Sequence, residues 1–163
     1  MTATELCGTV REWLSEHNLP FDTYQDNGFS GWIAGENGRW HLHMICEEKP
    51  SLLQIFCHHP LLVPDERLIA TGQLLHFLNI CSRLGAFVVG GPKSEVIFRV
   101  SAPVNTREDV ALPFDVAVHT FDAALLPLAR FFSTDAAPEA ALGWFREEGK
   151  LTLRVRGVRP ESN

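Results

Sequence analysis

Hydrophobic residues near the start of the chain recur at the spacing of a helix. Between residues 4 and 17 they stand three or four positions apart, at Leu6, Val10, Trp13 and Leu14. This spacing places them on one face and leaves charged residues on the other. The Asn18-Leu19-Pro20 sequence predicts the end of this helix, since proline cannot continue one.

The next segment has the alternating pattern of strands. Residues 29–35, 39–46 and 52–59 predict three strands, and the second and third place apolar side chains at every second position. Asn37-Gly38 separates the first two, and this dipeptide is the strongest short signal for a hairpin. The segment therefore predicts a three-stranded antiparallel meander.

The middle of the chain predicts a long helix followed by a second hairpin. The helix opens at Pro64 and runs to about Leu84, where Gly85 ends it. A strand at 86–89 and another at 95–104 follow, separated by a turn rich in glycine. In the second of these strands, apolar Val96, Phe98 and Val100 alternate with residues of the opposite face.

The last third predicts two helices and a strand. A helix opens at Pro113 and continues to Phe132, with Pro127 expected to kink or split it. A short helix at 138–148 and an alternating strand at 150–156 complete the chain. The order α-β-β-β-α-β-β-α, with this C-terminal appendix, predicts a two-layer α+β fold with an antiparallel sheet. We assign residues 1–133 to the domain and residues 134–163 to an appendix packed on it.

Composition agrees with one globular domain. The chain has 163 residues, of which 45% are hydrophobic and 21% charged, so it can bury a core without metals or disulfides. No secretory signal and no apolar run of membrane-spanning length occur, so we expect a cytoplasmic protein without a membrane partner. Four widely spaced cysteines are expected to be reduced core residues, at Cys7, Cys46, Cys57 and Cys81.

Charge argues against nucleic-acid binding, but it is unevenly distributed. The net charge is −6, whereas nucleic-acid binders present basic surfaces. Residues 150–163 hold four basic residues against one acidic residue, at Lys150, Arg154, Arg156, Arg159 and Glu161. These cations either bind an acidic partner or protect an exposed edge strand from aggregation.

The order of elements resembles a known family. The features that carry the resemblance are the Val63-Pro64 helix entry, the core segment 74–79 with its Leu78-Asn79 pair, and strand 95–100. With these features the chain is similar to YbjN-type domains, called bacterial sensory transduction regulators, which have the type III secretion chaperone-like fold. The resemblance covers about residues 4–132. It implies a compact bacterial domain, often a homodimer, that binds a protein partner or regulates and has no established enzyme chemistry.

Catalytic motifs are absent from the sequence, and one histidine cluster is the main anomaly. No nucleophile elbow, phosphate loop, zinc-protease motif or dinucleotide fingerprint occurs. A strand register that opposes His41 with His58 would gather both with His43 on the outer face of the sheet, where three imidazoles could hold zinc. These strands offer no obvious carboxylate to support a metal. We therefore expect no metal, no cofactor and no enzyme activity. A small metal-dependent hydrolase using these histidines is the alternative.

The expected role is binding a protein, with a dedicated type III secretion chaperone as a narrower alternative. The second half of the long helix is apolar almost all round, which predicts a homodimer or a cover from the C-terminal helix. Candidate partner-binding or dimer residues are Leu74, Phe77, Leu78, Cys81, Trp144 and Phe145. Trp144-Phe145 more often anchors a short helix to its own core. Asn79, within the apolar helix, is expected to bond to backbone.

Overall fold

Most helices and strands begin and end where local sequence signals place them. The structure is a computed structural model, and it describes residues 1–147. The helices are α1 (Ala3–Glu16), α2 (Leu68–Cys81), α3 (Ala111–Phe132) and α4 (Pro138–Glu147), with short 3₁₀ turns at Asp65–Arg67 and Arg107–Val110. The strands are β1 (Asp22–Tyr24), β2 (Gly28–Ala34), β3 (Arg39–Glu47), β4 (Leu52–Leu62), β5 (Ala86–Gly90) and β6 (Glu95–Pro103).

The strands form one six-stranded antiparallel sheet. Their order is β1-β2-β3-β4-β6-β5, so strands β1 and β5 are the edges. β4 pairs with β6, although α2 and β5 separate them along the chain. This one non-sequential pairing joins the meander to the second hairpin and produces the predicted α+β fold with an antiparallel sheet.

The inner face of the sheet supplies much of the core. Its residues come from alternate positions of β3, β4 and β6 and are fully buried, at Leu42, Met44, Cys46, Leu53, Ile55, Cys57, Val96, Phe98 and Val100. Helices α1 and α3 pack on the strands from this side, and α3 contributes buried Phe121, Ala124 and Leu128. The thiol of Cys57 lies 3.8 Å from the carbonyl oxygen of Ala117. Burial raises the pKa of the Cys46 and Cys57 thiols, which keeps both protonated.

Several boundaries differ from the sequence prediction. The meander has four strands, because the exposed segment Asp22–Tyr24 pairs with β2 without showing any alternation. The long helix is shorter than expected and ends at Cys81, where the Ser82 hydroxyl donates to the carbonyls of Leu84 and Gly85. Pro127 does not split α3, which continues to Phe132.

Two side chains on helices hold parts of the sheet in place. The Asp122 carboxylate on α3 accepts hydrogen bonds from the backbone and side-chain nitrogens of Asn37, at 3.1 and 3.0 Å. A Cβ at Gly35 would lie 2.0 Å from this carboxylate, so the β2–β3 loop needs glycine there. Asn79 on α2 bonds to both the N–H and the carbonyl of Phe87 on β5. The expectation that Asn79 bonds to backbone is confirmed.

One helical segment, Arg107–Phe132, is long and apolar enough to cross a membrane by length and composition alone. Its side chains at Phe121, Ala124 and Leu128 are fully buried against the rest of the chain. Of the apolar window, 44% is buried inside the protein, and the core helix of a soluble protein meets the same length and composition test.

The C-terminal appendix is described only in part. Helix α4 packs against α2 and α3, with Ala141 and Phe145 fully buried. The interpretation that Trp144-Phe145 anchors this helix to the core is confirmed for Phe145. The predicted strand at 150–156 and the basic residues of the tail lie outside the described residues.

Candidate functional site on the outer sheet face

The two faces of the sheet differ in burial. Apart from the buried Gln54, outward-pointing side chains of the central strands are half-buried or exposed, whereas their inward-pointing neighbours are buried. We call the outward set the outer sheet face and define it by Ser30, Trp32, His41, His43, Phe56, His58, Glu95, Ile97 and Arg99. Trp32 is the most exposed aromatic residue of this set, with 56% of its surface accessible. This face contains the histidine cluster predicted from the sequence.

The register that gathers the histidines is the predicted one. His41 on β3 lies directly opposite His58 on β4, and His43 lies opposite Phe56. Because side chains two positions apart share a face of a strand, the three imidazoles meet on the outer sheet face. One ligand nitrogen from each of the three lies within 4.8 Å of the others.

Hydrogen bonds link the cluster to both of its flanks. His58 Nε2 lies 2.9 Å from His43 Nδ1, and His58 Nδ1 lies 2.9 Å from Glu95 Oε2. On the other side, His41 Nε2 lies 2.8 Å from the hydroxyl oxygen of Ser30. The chain of contacts therefore runs across strands β2, β3, β4 and β6.

The carboxylate fixes which nitrogens carry protons. Glu95 can only accept when ionised, so His58 Nδ1 donates to it. In neutral His58 this leaves a lone pair on Nε2, and His43 Nδ1 donates to that lone pair. The Glu95 carboxylate thus holds His58 in the tautomer whose Nε2 lone pair points toward His43 and accepts its hydrogen bond.

Burial keeps two of the imidazoles neutral. Desolvation, together with the nearby His58 and His41, lowers the pKa of His43 to about 4. Desolvation also lowers the pKa of His41, again with a contribution from His58. His43 and His41 are therefore neutral near pH 7, and each has one ring nitrogen with a lone pair.

Aromatic rings and guanidinium groups surround the cluster. His43 stacks on Phe56 at 4.8 Å between ring centroids, and His41 lies edge-on to Trp32 at 5.4 Å. The Arg39 guanidinium lies 5.0 Å from the centroid of the Trp32 ring, and that of Arg99 lies 5.9 Å from the Phe56 ring. Such contacts are cation–π interactions.

The residues proposed for partner binding or dimerisation lie elsewhere, around α2 and α4. Within the chain itself, Leu74, Leu78 and Phe145 are buried, while Phe77, Cys81 and Trp144 are half-buried. Helix α4 covers part of α2, which is the intramolecular alternative to a dimer. Buried side chains offer no surface to a partner in this conformation. The role of the half-buried three stays a prediction.

Sequence reasoning missed two residues of the site. Ser30 stands opposite His43 in the β2–β3 register but bonds to His41. Glu95 supplies from β6 the carboxylate that the histidine strands were not expected to offer, because β6 lies beside β4 and Ile97 stands opposite His58. The outward position of Glu95 could be read from its alternation with buried Val96. The pairing of β4 with β6 could not.

Comparisons with known proteins add little to this description. No family model matches the chain, and no curated protein matches it. Among solved structures, the chain is similar to one in the crystal structure of the ExsC-ExsE complex. That similarity has 13% sequence identity and a TM-score of 0.45, and it covers 91% of this chain and 97% of the other. A similarity at this level carries no conclusion about what this chain binds. The narrower resemblance to YbjN-type domains stays a prediction.

Proposed function

We propose that the protein is a non-enzymatic, cytoplasmic protein-binding module, chaperone-like or regulatory, whose partner contacts the outer sheet face. The observation that carries this proposal is that the face presents aromatic rings and guanidinium groups that the described chain leaves accessible. Trp32 on β2 is 56% exposed, and Arg99 on β6 is exposed farther across the same face. The proposal rests on this chain's own surface.

The composition of the face supports protein recognition. Aromatic residues and arginine are enriched at the centres of protein interfaces, and they dominate binding energy there. Trp32 and Phe56 each lie against an arginine guanidinium, which limits the motion of both partners before binding. Ordered side chains lose less conformational entropy when a partner binds.

A catalytic role has less support in the described residues. Ser30 and His41 form a hydrogen-bonded pair, but the carboxylate of Glu95 bonds to His58 instead of His41. A serine nucleophile needs its own base oriented by a third group, and this arrangement divides those parts between two histidines. A protein-binding role therefore accounts for the residues of the outer sheet face without requiring a catalytic group that they do not supply.

Site-specific photo-crosslinking tests the proposal. A photoreactive amino acid replaces Trp32 in one variant and Ile69 in a second, and both are expressed in the native cell. Ile69 is the control because it is 82% exposed on α2, away from the outer sheet face. We expect one defined protein other than this chain to be crosslinked from position 32 and not from position 69.

The outcomes separate three possibilities. A different protein crosslinked at position 32, and lost in an Arg99→Ala background, supports the proposal. A crosslink to a second copy of this chain shows that the face is the dimer interface. A different protein crosslinked from position 69 and not from position 32 places the partner on α2 and contradicts the proposal.

The homodimer is a separate prediction, and light scattering at micromolar concentration tests it. The chain has a mass of 18.2 kDa, so the expected dimer has about twice that mass. Exposed apolar side chains on α2 favour association, including Ile69 and Ile80 at 82% and 68% exposure. A mass that stays at the single-chain value contradicts the dimer.

A further inference from the structure

We propose that His41, His43 and His58 form a three-histidine site for a divalent transition-metal ion, with Zn²⁺ as the ion they best suit. This inference is independent of the proposed protein-binding function. It replaces the expectation of no metal, since that expectation depended on a missing carboxylate that the structure supplies.

The geometry of the nitrogens is close to that of a metal site. Zinc binds imidazole nitrogen at about 2.0–2.1 Å, so the nitrogens of a tetrahedral site lie about 3.3 Å apart. Here the three ligand nitrogens lie within 4.8 Å of one another, and those of His43 and His58 are 2.9 Å apart. The rings must rotate for all three nitrogens to reach the bonding distance. The strand pairing holds the backbones that carry them.

Glu95 has the position of a supporting carboxylate. Metal-binding histidines almost always donate their other ring N–H to a carboxylate, a carbonyl or water, which fixes the tautomer and raises the basicity of the ligand nitrogen. His58 donates Nδ1–H to Glu95 at 2.9 Å and directs Nε2 toward His43. Ser30 takes a comparable place beside His41, with its hydroxyl 2.8 Å from Nε2.

An ion at this place would replace the hydrogen bond between His43 and His58. The proton that His43 shares with His58 is the only one the ion must displace between these two rings. Three protein ligands leave a fourth position open, as in catalytic zinc sites. On this sheet the open position faces outward.

Equilibrium zinc binding tests the proposal. The untagged full chain is freed of metal with a chelator and titrated with Zn²⁺ against a chromophoric competitor. We expect one equivalent per chain. Glu95→Gln, which keeps the size of the side chain, is expected to weaken the affinity by about 10–100-fold. His43→Ala and His58→Ala are expected to weaken it further. His119→Ala is the matched control, since His119 is exposed on α3, and it should leave the affinity unchanged.

Two results would overturn the proposal. The first is no binding stoichiometric with the chain at micromolar Zn²⁺ while circular dichroism shows a folded protein. The second is zinc affinity retained in a folded His43→Ala/His58→Ala variant, which would assign the ion to the half-buried Cys81 thiol or another donor. If the double variant does not fold, the zinc affinities of the Glu95→Gln and His119→Ala variants still decide the question. Neither change removes a core side chain.

Discussion

The inner and outer faces of the same sheet follow opposite chemical rules. On the inner face of β4, Leu53, Ile55 and Cys57 are fully buried and contact helices. On the outer face of the same strand, Phe56 and His58 stay half-buried and contact an arginine and a carboxylate. Adjacent residues therefore serve different ends: one set stabilises the fold, and the other is available for binding. Alternation at period two lets one strand do both.

The difference shows where polar chemistry is tolerated. His59 is the inner-face histidine of β4: its Nδ1 accepts a hydrogen bond from the backbone N–H of Leu61 at 3.1 Å, and its Nε2 donates to the carbonyl of Leu125 at 3.2 Å. The outer-face histidines instead bond to one another and to side chains of neighbouring strands. A buried polar group needs a fixed partner, whereas a half-buried one can exchange its partner for a ligand.

The largest expected effect separates the faces by stability. Phe98 is fully buried on the inner face of β6, and its neighbour Ile97 is half-buried on the outer face. We expect Phe98→Ala to lower the free energy of unfolding by about 3–5 kcal/mol, because it leaves a cavity. Ile97→Ala should lower it by about 1 kcal/mol. Urea unfolding measures both, and equal losses would contradict the assignment of the two faces.

An intermediate effect concerns pH in the metal-free protein. Desolvation lowers the pKa of His59 on the inner face and of His43 on the outer face, the latter to about 4. Between pH 6.5 and about 4 the unfolded chain therefore binds more protons than the folded one, so stability falls as pH falls. From pH 7 to pH 5 we expect a loss of about 1–2 kcal/mol for His43, after allowing for solvent screening.

Unfolding in urea at the two pH values, together with NMR titration of the two imidazoles, provides the measurement. A His43→Phe variant should retain the packing on Phe56 and show a smaller loss on acidification. Stability that does not change between pH 7 and pH 5 would contradict the lowered pKa values.

The smallest expected effect on stability sharpens the functional side of the comparison. Trp32 is 56% exposed, so Trp32→Ala should change the free energy of unfolding by about 0.5 kcal/mol. The same change should abolish capture of the partner, if the outer sheet face binds it. A large loss of stability in this variant would show that the ring supports the fold instead.

The sequence predicts the fold well wherever a signal is local. The Asn37-Gly38 hairpin, the apolar stripe of α1 and the alternation in β3 and β6 all have local causes, and all appear in the structure. Two features had no local signal. Strand β1 is exposed throughout and does not alternate. The uninterrupted course of α3 through Pro127 depends on the packing around it, where Pro127 and Leu128 are buried.

The part of the candidate site that lies on strands adjacent in sequence could be predicted. The register of β3 on β4 followed from matching buried faces, so the three histidines could be placed together. Glu95 could not be added, because its approach to His58 depends on β6 inserting between β4 and β5. That pairing joins residues 37 positions apart in sequence, and no alternation pattern specifies it.

The Asn79 amide has a consequence for how copies of this protein can meet. By bonding to the N–H and the carbonyl of Phe87, it occupies the outward-pointing backbone groups that an added strand would need at this point of β5. The opposite margin, β1, offers only three residues. Growth of an intermolecular sheet from the β5 edge, the first step toward fibrils, therefore requires α2 to detach from β5 beforehand. The barrier to that route includes the cost of undocking a helix.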